Sequence, residues 1–82
     1  NHMYALTQEL LDDYGLPFEV MLPLIDETTQ KVHRLSPKQA QTGPAARGDK
    51  KVMDAHRKML ADKPQLECIY QLLSDSIEKM KQ

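Results

Sequence analysis

Among its 82 residues the chain has no tryptophan and a single phenylalanine, Phe18, and aromatics make up only 5% of it. Large rings bury the most surface per residue, so any core must rest on aliphatic side chains and the five methionines. Cysteine is just as scarce. A lone Cys68 excludes an internal disulfide and any C-x-x-C redox or zinc motif, and points to a reducing, cytoplasmic setting. Neither sign of charge dominates, with 11 Lys+Arg against 12 Asp+Glu and a net charge of -1. No basic stripe is present to neutralise phosphates, so nucleic acid is not an expected partner. No apolar run reaches the ~18 residues of a membrane span, so no membrane association is expected. Glycine occurs only at Gly15, Gly43 and Gly48. None belongs to a G-x-G-x-x-G turn after a strand, so no dinucleotide cofactor is expected on this chain.

With 40% hydrophobic and 28% charged residues the composition is that of a globular domain, yet the mean hydropathy is low at -0.60. A chain this short hides only ~60 to 65% of its unfolded surface. The core should be thin, and a partner surface would complete it.

Periodicity predicts an all-α fold of four short helices. The first carries Met3, Leu6, Thr7, Leu10 and Tyr14 on one face and runs to about Tyr14. There Gly15 supplies a left-handed cap, and Leu16-Pro17 forbids continuation. The residues before it, Asn1-His2-Met3, have two readings: a natural helix start, since Met3 continues the stripe, or a scar of tag removal. The second segment opens near Phe18 and carries Met21, Leu24, Ile25, Thr28, Val32 and Leu35 on one face. Pro23 predicts either a short turn over Phe18 to Leu22 followed by a helix with Pro23 in its first turn, or one kinked helix. The third, Lys50 to Ala61, shows Val52, Ala55, His56, Met59 and Leu60 on one face, with Asp49 placed to cap it. Asp62-Lys63-Pro64 then restarts the chain. The fourth helix carries Leu66, Ile69, Tyr70, Leu73, Ile77 and Met80 as its stripe, with Cys68 and Leu72 behind it as a candidate second packing surface.

Between Ser36 and Asp49 the periodicity lapses, and Pro37, Gly43, Pro44 and Gly48 make this the one long irregular stretch. Irregular segments of this length tend to be functional or disordered. Thr42 offers a hydroxyl, Arg47 a guanidinium, Gly43-Pro44 a tight turn and Gly48 a close backbone approach, ahead of a helix start with free amides. That combination suits an anion such as a small substrate's carboxylate or a cofactor phosphate. The bland alternative is a turn that Asp49 merely caps, and the Asp49 carboxylate itself competes for the helix end. Arg47-Gly48-Asp49 also spells an integrin-binding tripeptide; as a three-residue match it carries no weight. His56 sits within an apolar stripe, where a partly buried histidine satisfied by a neighbouring carbonyl or carboxylate is the ordinary arrangement. His2, His33, His56 and Cys68 lack metal-ligand spacing, so no metal site is expected.

Gly15-Leu16-Pro17-Phe18, Leu22-Pro23-Leu24-Ile25 and Thr42-Gly43-Pro44-Ala45-Ala46-Arg47-Gly48-Asp49, in this order and spacing, resemble a bacterial domain family of unknown function that follows a Rossmann-like NADP-binding domain. That family is distantly similar to the C-terminal dimerisation domains of pyrroline-5-carboxylate reductase and 6-phosphogluconate dehydrogenase. Its members commonly carry Asn-His-hydrophobic at the head of the first helix, and a histidine beyond the loop. The resemblance implies that residues 1–82 form a single helical domain, a fragment lacking its N-terminal Rossmann-like domain. It further implies a homodimer that closes the pocket of an NADP-dependent oxidoreductase for a small-molecule substrate, with no activity from this chain alone. Thr42, Gly43, Pro44, Arg47 and His56 become the candidate substrate-binding residues, joined by Asn1 and His2. The rival is a free-standing helical module that binds a partner helix in an apolar groove.

Overall fold

The computed structural model describes residues 1–80, which form helices joined by short turns, with no strand among them. They fall into two compact units, Asn1–Ala40 and the residues from Gln41 onward.

The first unit holds α1 (His2–Asp13), a 3₁₀ turn (Phe18–Met21), α2 (Leu22–Arg34) and the single turn α3 (Pro37–Ala40). Asn1 occupies the position before α1 without a side-chain cap; its carbonyl accepts from the N–H groups of Tyr4 and Ala5. At the other end Gly15, with φ 67°, reverses the chain. Its N–H donates to the Asp12 carbonyl at 3.1 Å and the Leu16 N–H to the Leu11 carbonyl at 3.0 Å. This paired closure needs a left-handed residue that a Cβ would strain. Leu16-Pro17 then leads into the 3₁₀ turn, which packs between α1 and α2. Phe18 meets Tyr4 edge to face, with ring centroids 6.4 Å apart. Of the two arrangements that Pro23 left open, the turn followed by a helix is the one formed: Pro23 lies in the first turn of α2, where its missing N–H costs no hydrogen bond.

The stretch expected to be irregular contains two single helical turns. Ser36 and Gln39 form a reciprocal capping box: the Gln39 N–H donates to Ser36 Oγ and the Ser36 N–H to Gln39 Oε1, each at 3.2 Å. Two orphan donors are thereby satisfied and α3 begins at Pro37. A second single turn, α4 (Pro44–Arg47), opens the second unit and is followed by α5 (Lys50–Met59) and α6 (Pro64–Met80). α5 stops two residues short of the expected Ala61, with Leu60 closing it.

α4 packs on both α5 and α6, and this shifts the buried faces from the expected stripes. On α5 the covered residue is Met53, 3% exposed; of the expected stripe Leu60 is buried just beyond the helix, while Met59 is open to solvent. On α6 the covered residue is Ser74, whereas Leu73 and Met80 are exposed. Small residues suit a close approach of short helices, and the buried residues of α4 and α6 are Ala45 and Ser74. Leu72 is 70% exposed and Cys68 is exposed as well.

Candidate functional site

The expected loop site is built on α4 and its two flanking glycines. Gly43, with φ 103° and ψ 172°, precedes the turn, and Pro44 supplies its first residue. At the far end Gly48, with φ 69°, repeats the closure used at Gly15: its N–H donates to the Ala45 carbonyl at 3.4 Å and the Asp49 N–H to the Pro44 carbonyl at 2.9 Å. Thr42 is exposed, its carbonyl accepting from Gln41 Nε2 at 2.8 Å. Arg47 is exposed at the end of α4, and its guanidinium has no ion-pair partner among the described residues.

Asp49 caps α5 as expected, with Oδ1 accepting from the Val52 N–H at 3.2 Å. Its carboxylate therefore already stands at the helix start, where a second anion would meet like charge. Any anion recognition by this segment falls to the Arg47 guanidinium and the Thr42 hydroxyl.

His56 is half-buried on α5 and engages α6. Its Nδ1 shares a 2.8 Å hydrogen bond with the Tyr70 hydroxyl, and the two rings stand edge to face with centroids 5.6 Å apart. The partner is thus a phenol, not the carbonyl or carboxylate expected for a satisfied histidine. One residue further along each helix a second rung forms. Arg57 Nε donates to Gln71 Oε1 at 2.7 Å, Gln71 Nε2 donates to Asp75 Oδ1 at 2.8 Å, and Arg57 Nη1 donates to Asp54 Oδ1 at 2.9 Å. Periodicity alone places Tyr70 in the apolar stripe of α6. The signal for the pair lay in two successive polar residues, His56-Arg57 and Tyr70-Gln71, facing one another across the two helices.

No hydrogen bond joins His56 to Thr42 or Arg47 among the described residues. Asn1 and His2 are exposed and belong to the first unit, whereas Thr42, Gly43, Pro44, Arg47 and His56 belong to the second. No group of three or more histidine, cysteine, aspartate or glutamate side chains among the described residues is placed to hold a metal ion. Among the described residues no helix is long and apolar enough to cross a membrane.

The architecture is that of an all-α domain whose two glycine-closed turns and polar α5/α6 rungs carry the candidate chemistry. A family model described as a domain of unknown function (DUF2520) matches residues 1–77, and the chain belongs to that family. Among solved structures it is similar to a candidate NADP oxidoreductase from Bacteroides fragilis, at 61% identity and a TM-score of 0.94. That match covers 100% of this chain and 32% of the other, so the chain spans about a third of the protein it resembles. No match is found among curated proteins. The resemblance noted at Gly15-Leu16-Pro17-Phe18 and Thr42 to Asp49 is borne out by the family match.

Proposed function

We propose that this chain is the C-terminal dimerisation and substrate-pocket domain of a two-domain NADP-dependent oxidoreductase, completed by an N-terminal Rossmann-like domain and inactive alone. The observation that carries the reading is the 61% identity to a candidate NADP oxidoreductase of which the chain spans 32%. The glycine-rich dinucleotide turn is missing from this sequence, and no described residue is in a strand. The cofactor therefore belongs on the other domain. NADPH supplies a hydride when bound there; the residues of this chain bind and orient a small imine, ketone or acid beside it. Arg47 and Thr42 take a charged or polar oxygen, Gly43 and Pro44 shape the turn that presents them, and His56 adds a polar wall. Asn1 and His2, at the head of α1 in the first unit, take a substrate role on the family resemblance alone. The exposed apolar side chains support a homodimer. The lone exposed Cys68 fits a reducing cytoplasm.

The test compares the chain with the longer protein that contains it. Calorimetric titration should give NADPH binding to the longer protein and none to the chain; submicromolar affinity for the chain would place the cofactor on the wrong domain. Light scattering at ~100 μM, well above the concentrations at which specific association usually shows, should find a dimer. A strictly monomeric species overturns the dimerisation role and favours the free-standing module. In the longer protein Arg47→Ala should weaken ligand binding by about 1.5 to 3 kcal/mol, the range for a hydrogen bond to a charged group. Unchanged kinetic constants would remove the loop from the pocket.

A further inference from the structure

His56 has one ring nitrogen engaged and one free. Nδ1 shares its hydrogen bond with Tyr70, while Nε2 has no partner among the described residues. In a neutral imidazole one nitrogen donates and the other accepts, so the bond made at Nδ1 decides what Nε2 offers. A phenol is a stronger donor than an imidazole N–H, and an unprotonated ring nitrogen is a stronger acceptor than a phenol oxygen. The Tyr70 hydroxyl has no other hydrogen-bond partner among the described residues, so its one proton is available to Nδ1. The neutral pair then settles with the phenol donating to Nδ1 and the ring proton on Nε2. When the imidazole is protonated, Nδ1–H donates to the phenol oxygen and Nε2 keeps its proton. Nε2 is a donor in both charge states.

We propose that Tyr70 is a positioning residue that fixes His56 as a permanent Nε2–H donor, presented to an oxygen acceptor such as the carboxylate or carbonyl of a small substrate. The edge-to-face stacking at 87° holds the ring plane, and the Arg57 to Gln71 rung beside it keeps α5 and α6 in register. With its proton on Nε2, His56 does not take up a proton or bind a metal through that nitrogen. Only the identity of the acceptor as substrate rests on the oxidoreductase reading; the tautomer belongs to this chain by itself.

The experiment is a long-range ¹H–¹⁵N correlation on the chain, recorded at alkaline pH so that the neutral imidazole is read. Expected are a protonated, pyrrole-type Nε2 and an unprotonated Nδ1 at well-separated shifts. In Tyr70→Phe, with folding checked by its melting curve, the two shifts should converge as the tautomers average. Sodium acetate, used as the simplest carboxylate, should move the Nε2–H resonance, and sodium chloride at equal ionic strength should not. A proton on Nδ1 in the wild type overturns the proposal, as does an unchanged separation in Tyr70→Phe. Equal responses to acetate and chloride overturn the oxygen-acceptor assignment. None of these readouts uses NADPH, so their failure is distinct from failure of the reductase reading, which the calorimetry of the longer protein decides.

Discussion

The two units are of similar length but are held together differently. No side chain of Asn1–Ala40 is buried, whereas the second unit buries Ala45, Met53, Leu60 and Ser74. The first relies on local devices: the glycine closure after α1, the Ser36 and Gln39 capping box, and threonine hydroxyls donating to carbonyls four residues back, Thr7 to Met3, Thr28 to Leu24 and Thr29 to Ile25. The second adds ties between side chains 14 residues apart in sequence, His56 to Tyr70 and Arg57 to Gln71. Exposure divides the same way. Nine large apolar side chains stand open in the first unit, Met3, Tyr4, Tyr14, Leu16, Val20, Leu22, Leu24, Val32 and Leu35, against four in the second, Met59, Leu72, Leu73 and Met80. Apolar surface left open on local structure is what a partner surface covers, so the first unit has more to gain from assembly.

The comparison breaks most sharply at the buried methionine. Met53→Ala should lower the stability of the chain by about 2 to 5 kcal/mol through lost burial and the cavity left behind, read from denaturant unfolding. A loss below ~1 kcal/mol would mean that the second unit has no more of a core than the first. Next comes the cap. Asp49→Ala should cost about 0.5 to 2 kcal/mol because the Val52 N–H loses its acceptor, with ligand affinity in the longer protein little changed. In the first unit Gly15→Ala should cost about 1 to 2 kcal/mol, since φ is 67° although open space surrounds the Cβ position. The smallest effect is expected at Leu24, 58% exposed: Leu24→Ala should change the stability of the monomeric chain by less than ~0.5 kcal/mol. If the same substitution destabilises at concentrations where the chain associates, the open face of the first unit is the covered one, and the comparison gains a cause.

Much of the helical outline was legible in the sequence. Gly15 and Leu16-Pro17 end α1, Pro23 sets the start of α2, Asp49 caps α5 and Pro64 opens α6, because each acts through backbone conformation or a neighbour a few residues away. Within Ser36 to Asp49 the two single helical turns were not legible. The Ser-Pro-Lys-Gln capping signature is short, and a single helical turn is too brief to show periodicity. The candidate loop residues were nameable as chemistry, a hydroxyl and a guanidinium between glycines. Their surroundings were not, beyond the Asp49 cap: the sequence did not reveal that Arg47 has no ion-pair partner among the described residues.

The sequence by itself determined where the longer helices run, where the glycines turn the chain, and that the dinucleotide turn is missing, since all of these depend on residues close together along the chain. Only the tertiary structure decided which face of each helix is covered. The choice of Met53 over Met59, and of Ser74 over Leu73, follows from α4 packing against α5 and α6, and periodicity leaves adjacent faces of one helix nearly equivalent. The pairing of His56 with Tyr70 was decided there too. A hydrogen bond between residues on different helices is fixed by the distance and angle between those helices, which no spacing within either one encodes.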